Sequence, residues 1–87
     1  MSEQDTETTK LLRLRVSAEA DPGLVARLLG YFQNLNITPH RIVAEFATTD
    51  MMHIHIDVSG MSERRLTLLA AKVHQWVPVG NAHWHWL

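Results

Sequence analysis

The sequence predicts an α+β sandwich, in which one four-stranded antiparallel sheet carries two helices on a single face. Three observations predict it. Four stretches alternate apolar and polar residues, two stretches repeat apolar residues at helical spacing, and their order is strand, helix, strand, strand, helix, strand. With two right-handed crossovers, that order closes into the ferredoxin-like βαββαβ plan. The chain has 87 residues, enough for one domain and one core. The expected division is a disordered acidic tail over residues 1–9, "MSEQDTETT", and a single domain over residues 10–87.

Lys10 to Ser17 forms the first strand. Leu12, Leu14 and Val16 fall on one face, and Leu11, Arg13 and Arg15 on the other. Asp21 then fits a helix N-cap and Pro22 the first helical position, where its missing N–H costs nothing. Leu24, Val25, Leu28, Leu29 and Phe32 make one apolar stripe, and Asn34 and Asn36 bracket the helix end. Pro39 pushes Thr38 into extended geometry. Ile42, Ala44 and Phe46 alternate with Arg41, Val43 and Glu45 in the second strand. The polar turn "ATTD" joins it to the third, where Met52, Ile54, Ile56 and Val58 oppose His53, His55 and Asp57. Gly60 ends that strand and Ser62 caps a second helix with Leu66, Leu69, Ala70 and Val73 on its stripe. Pro78 and Gly80 break this helix, and "NAHWHWL" alternates as the fourth strand.

Composition narrows the function. Lys plus Arg number 8 against 9 Asp plus Glu, so no broad basic field exists for nucleic acid or an anionic membrane. Cysteine is absent, which removes disulfides, thiolate metal sites and a thiol nucleophile. No apolar run approaches the ~20 residues of a membrane span, and the start of the chain lacks a secretory signal pattern. A cytoplasmic protein is expected. No catalytic set assembles: Ser17, Ser59 and Ser62 stand at element ends, and neither a phosphate-binding loop nor a dinucleotide glycine fingerprint occurs. The loop "SAEADPG" also lacks the arginine that an acylphosphatase-type site would need. The sheet face that could bind RNA offers arginine and histidine where stacking would require aromatics.

Six histidines raise a metal question. His53 and His55 share one face of the third strand, and His83 and His85 one face of the fourth. In the expected sheet the two pairs lie two strand spacings apart, roughly 9–10 Å, too far for one ion with bonds of about 2 Å. They read as a polar surface beside Arg13 and Arg15, and no metal site is expected. Trp84 and Trp86 fall opposite them, toward the helices or a partner.

The stretch "ADPGLVARLLGYF" leaves two readings open. Asp21 either caps the helix itself, or the glycine loop and the helix N-terminus hold a ligand carboxylate. The longer segment "RVSAEADPGLVARLLGYFQNLNITPHRIVAEF" resembles the opening of an ACT domain, a small amino-acid-sensing regulatory module. The likeness lies in Asp21-Pro22-Gly23-Leu24, Leu28-Leu29-Gly30 and Asn36-Ile37-Thr38, and continues through "MMHIHIDVSG" and "LTLLAAKVHQWVPV". Within that family the chain is similar to the short form of the acetolactate synthase small subunit. The resemblance implies a homodimer without cofactor or catalysis. It implies binding and activation of the large catalytic subunit of acetolactate synthase, a thiamine-diphosphate enzyme of branched-chain amino-acid synthesis. It places a small amino-acid effector against Ala20, Asp21, Pro22, Gly23 and Leu24 of one chain and Ile37 and Thr38 of the other. Valine-sensing members carry Asn where this chain has Ala20 and Thr38. Weak or absent valine sensing is therefore expected, with a stand-alone amino-acid sensor as the alternative role.

Overall fold

A computed structural model describes residues 10–87, and the expected tail at 1–9 lies outside the described residues. The elements are β1 (Leu12–Glu19), α1 (Leu24–Asn34), β2 (Arg41–Phe46), β3 (Met51–Val58), α2 (Glu63–His74) and β4 (Val79–Trp86). The sheet order is β2-β3-β1-β4, with every neighbouring pair antiparallel. This is the ferredoxin-like plan that the alternation and element order predict.

β1 is the centre of the sheet, because it pairs with β3 on one side and β4 on the other. Its inward row, Leu12, Leu14, Val16 and Ala18, is fully or almost fully buried. Ile54, Ile56 and Val58 extend that row across β3. Leu24, Leu28 and Phe32 from α1 and Leu66, Leu69 and Val73 from α2 join them in one core. Each helix thus buries the stripe that its apolar spacing defines.

Three local details differ from the sequence expectation. β1 runs two residues further than Ser17, to Glu19. Regular helix begins at Leu24 with Gly23 as the N-cap. Asp21 serves the preceding turn: its Oδ1 accepts from the Gly23 N–H at 2.8 Å and its carbonyl from Leu24 N–H at 3.2 Å. Gly80 does not end the second helical segment but lies inside β4, at an irregularity where Ser17 pairs with Asn81 and Ala18 with Val79. Gly80 is the extra residue of this irregularity, and a Cβ on it would meet the Ser17 carbonyl oxygen only at ordinary contact distance, 3.7 Å.

The other boundaries follow the expected chemistry. Asn36 has φ 59°, in the left-handed region that Asn tolerates. Its N–H donates to the Gln33 carbonyl and the Ile37 N–H to the Phe32 carbonyl, each at 2.9 Å, closing α1 in a Schellman motif. The Ser62 side chain accepts from Arg65 N–H at 3.2 Å and caps α2. On the face away from the helices, Arg13 donates to both oxygens of Asp57, Nε at 2.6 Å and Nη2 at 3.0 Å. These two residues face each other across β1 and β3. Asp57 is only 6% exposed, so its charge requires this partner.

Phe32→Ala is expected to cost about 3–5 kcal/mol, read as a lower denaturation midpoint at unchanged slope. The hydrogen bonds from Arg13, and then its charge, hold the Asp57 carboxyl below its ordinary range. A carboxylate lowered in the folded state stabilises above the unfolded pKa and loses that effect as pH falls through the folded one. Asp57→Asn should therefore lower the melting temperature at neutral pH, and the gap from wild type should close in acid below about pH 4.

Candidate functional site

The loop from Glu19 to Gly23 carries the first half of the expected ligand site. Its backbone is anchored at both sides. Glu19 N–H donates to the Pro78 carbonyl and Ala20 N–H to the Asp50 carbonyl, each at 2.8 Å. The Asp21 Oδ1 accepts from the Gly23 N–H and ties the turn, while the N-cap position of α1 falls to Gly23. Gly23 offers no side chain to the first turn of α1, and among the described residues no side chain accepts from the N–H groups of Val25 and Ala26. Ala20, Asp21 and Pro22 line a cleft of about 310 Å³ with Val25, Phe46 and Met52. Most of that lining is apolar. Leu24 lies in the core, 2% exposed, and only its backbone belongs to the loop.

Ile37 and Thr38 lie elsewhere. With Leu29, Gln33, Asn36 and Pro39 they line a second cleft of about 340 Å³. The Schellman turn of α1 sets their position, since Ile37 packs on the core and carries Thr38 outward. The clefts lie toward opposite ends of α1, one against Val25 and the other against Leu29 and Gln33, while Ala20–Gly23 precede the helix and Thr38 follows it. An 11-residue helix is about 16 Å long. One small amino acid cannot span that distance, so a single chain does not bring Ala20–Gly23 and Thr38 together.

β2 lies between the two clefts. It pairs only with β3 and forms one edge of the sheet. Ile42, Ala44 and Phe46 pair with Ile56, Ile54 and Met52, so they continue the inward, helix-side row. Yet Ile42 is 40% exposed and Phe46 65% exposed. The helices cover β3, β1 and part of β4 but leave this row open. The sequence shows the alternation of β2 and not its lack of cover, so Phe46 and Met52 were not expected in the site. Their signal is the aromatic at the end of an edge strand.

The open sheet face is polar. Arg15 pairs with both His55 and His83, and Arg13 with His85. β1 therefore separates the two histidine pairs, as the topology predicts. Among the described residues no three His, Cys, Asp or Glu side chains gather to hold a metal ion. Burial, and next the charges of Arg15 and Arg13, lower the His55 pKa from its ordinary value, with Glu45 opposing. No helix among the described residues is long and apolar enough to cross a membrane.

Comparison with known proteins agrees with this architecture. A model of the ACT-like domain family matches residues 4–87. No curated protein matches the chain. Among solved structures, the C-terminal domain of the MgtC protein from Mycobacterium tuberculosis aligns with 90% of this chain and 87% of its own, at 18% identity and TM-score 0.76. The crystal structure of the ACT domain from the GTP pyrophosphokinase of Chlorobium tepidum aligns with 87% of this chain and 97% of its own, at 17% identity and TM-score 0.71. The solution structure of the same domain gives TM-score 0.69. At these identities the likeness is one of fold.

Proposed function

The chain belongs to the ACT-like domain family, and from that premise we propose that it acts as a dimeric regulatory module whose effector site is completed by a second copy. The observation that carries this reading is the placement of two half-sites at opposite ends of an uncovered apolar edge strand. Antiparallel pairing of two β2 strands brings the Phe46 end of one chain beside the Arg41 end of the other. The cleft at Ala20–Pro22 then faces the partner's Ile37–Thr38 cleft. The same pairing satisfies the free backbone groups of the edge and buries Ile42 and Phe46.

The apolar lining of Ala20, Pro22, Val25, Phe46 and Met52 suits an aliphatic amino-acid side chain. The polar anchors are sparse. The N–H groups of Val25 and Ala26 suit a carboxylate, while the Asp21 carboxylate repels one and suits an ammonium. Ala20 and Thr38 offer no amide side chains. A hydrogen bond to a charged group is worth about 1.5–3 kcal/mol, so two absent anchors reduce affinity by roughly two to four decades. Valine is accordingly a weak effector or none.

The regulated partner in this reading is the large catalytic subunit of acetolactate synthase, supported by the sequence likeness of the Asp21–Leu24 loop, the α1 stripe and the Asn36–Thr38 segment. A cytoplasmic location goes with that partner. The family match itself names no enzyme, which keeps a stand-alone amino-acid sensor as the second reading.

Sedimentation should show a dimer for the wild type and a folded monomer for Ile42→Lys combined with Phe46→Lys. A wild type that stays monomeric at high concentration would remove the shared site. Mixing with an acetolactate synthase catalytic subunit should raise its turnover. No complex and no activation, together with a clear calorimetric ligand, would transfer the assignment to the stand-alone sensor. Valine titration should give weak or undetectable heat for the wild type, and Ala20→Asn with Thr38→Asn should tighten binding by about two decades or more.

A further inference from the structure

We propose that the groove between α1 and α2 docks an acidic, apolar-anchored segment of a partner protein. The inference rests on the regulatory reading, because a regulatory module needs a surface through which it holds its target. The groove touches neither β2 nor the Ala20–Pro22 cleft, and it shares only Gln33 with the Ile37–Thr38 cleft.

Two adjoining clefts, about 410 Å³ and 370 Å³, share Tyr31 and Lys72. Arg27 and Tyr31 of α1 and Leu35 at its C-cap recur every four residues and form one wall. Arg65, Leu68 and Lys72 come from α2, with Trp76 just beyond its end. Leu68 is 62% exposed, so an apolar anchor stands in water. Among the described residues three cations, Arg27, Arg65 and Lys72, line the groove and no carboxylate does. An apolar strip flanked by unopposed positive charge matches an acidic amphipathic segment. A second copy offering the same groove would bring like charges together, which disfavours self-docking here.

Two of the cations are held in place. The Arg27 guanidinium lies 4.0 Å from the Trp76 ring centroid, and the Lys72 ammonium 5.2 Å from that of Tyr31. Each contact crosses from one helical segment to the other. Stacked cations keep N–H donors free while losing less side-chain freedom on binding. Tyr, Trp and Arg are also the residue types that concentrate binding energy at interfaces.

Gly30 is the second, independent observation. It lies in mid-helix and lines the groove. A Cβ built on it would meet nothing within 4 Å. Its backbone is not left-handed, unlike that of Gly60. Neither packing against the described residues nor backbone conformation requires glycine there, and glycine weakens a helix relative to alanine. Bare backbone at that point permits close approach of an occupant.

The test uses the whole chain and a fluorescent synthetic peptide with leucine at helical spacing and glutamate elsewhere. The peptide should bind. Arg27→Gln with Lys72→Gln should weaken binding at least about tenfold. Gly30→Ala should raise the melting temperature and still weaken binding, a combination that a purely structural role for the glycine would not give. Three results would overturn the proposal: no binding, equal binding of the leucine and lysine counterpart, or unchanged affinity in Gly30→Ala. Tighter capture by phosphatidylglycerol vesicles than by the peptide would also overturn it, in favour of a lipid surface. None of these readouts depends on effector binding or dimer formation, so failure here leaves the regulatory reading standing, and a failed effector screen leaves this one untouched.

Discussion

The burial of one face of β1 is the constraint from which the rest of the molecule follows. Leu12, Leu14, Val16 and Ala18 are shut between the sheet and both helices, and β1 is paired along both edges. A strand held on three sides fixes its own exit. The chain therefore leaves at Glu19 into a short turn that must deliver α1 onto the sheet. The Asp21 carboxylate and the missing N–H of Pro22 meet that demand. The candidate site at Ala20–Gly23 is a by-product of closing the core, in the sense that its backbone would take this path without any ligand.

The same constraint explains the exposed edge. The buried rows are longest on β1 and β3, and β2 receives little cover. A row of Ile42, Ala44 and Phe46 in water would be a liability for an isolated monomer. On the opposite face Asp57, the one buried charge among the described residues, is matched by a bidentate arginine from the central strand. The sheet thus has one dry face, one polar face and one unfinished edge. The regulatory reading assigns the unfinished edge to a second copy and the helix groove to a target.

Much of this was legible in the sequence, for identifiable reasons. Alternation in "MMHIHIDVS" and "NAHWHWL" and the helical stripes at Leu28–Phe32 and Leu66–Val73 carry their period in a few residues. Asn36 and Ser62 signal their turns through side-chain chemistry alone. Other features depend on tertiary context. The period of β2 is the same whether its apolar row is covered or bare, so its exposure is invisible in the pattern. Gly80 reads as a breaker until its neighbours on β1 show a bulge. Asp21 and Pro22 look like the first positions of a helix, and only the tight turn to Leu24 moves the regular start. The candidate site was readable as two stretches of chain. That they lie in separate clefts required the length of α1 in space. Gly30 appears in the sequence as a mid-helix residue, and its empty surroundings appear only in three dimensions.

The central claim is that β2 is an internal strand of the working protein, although it is an edge of the isolated chain. Amide hydrogen exchange resolved by residue tests it directly, with β4 as the built-in reference edge. The account predicts that the outward amides of β2 become protected as protein concentration rises, while those of β4 keep exchanging. Rapid, concentration-independent exchange along β2, or protection that develops at β4 instead, would contradict it.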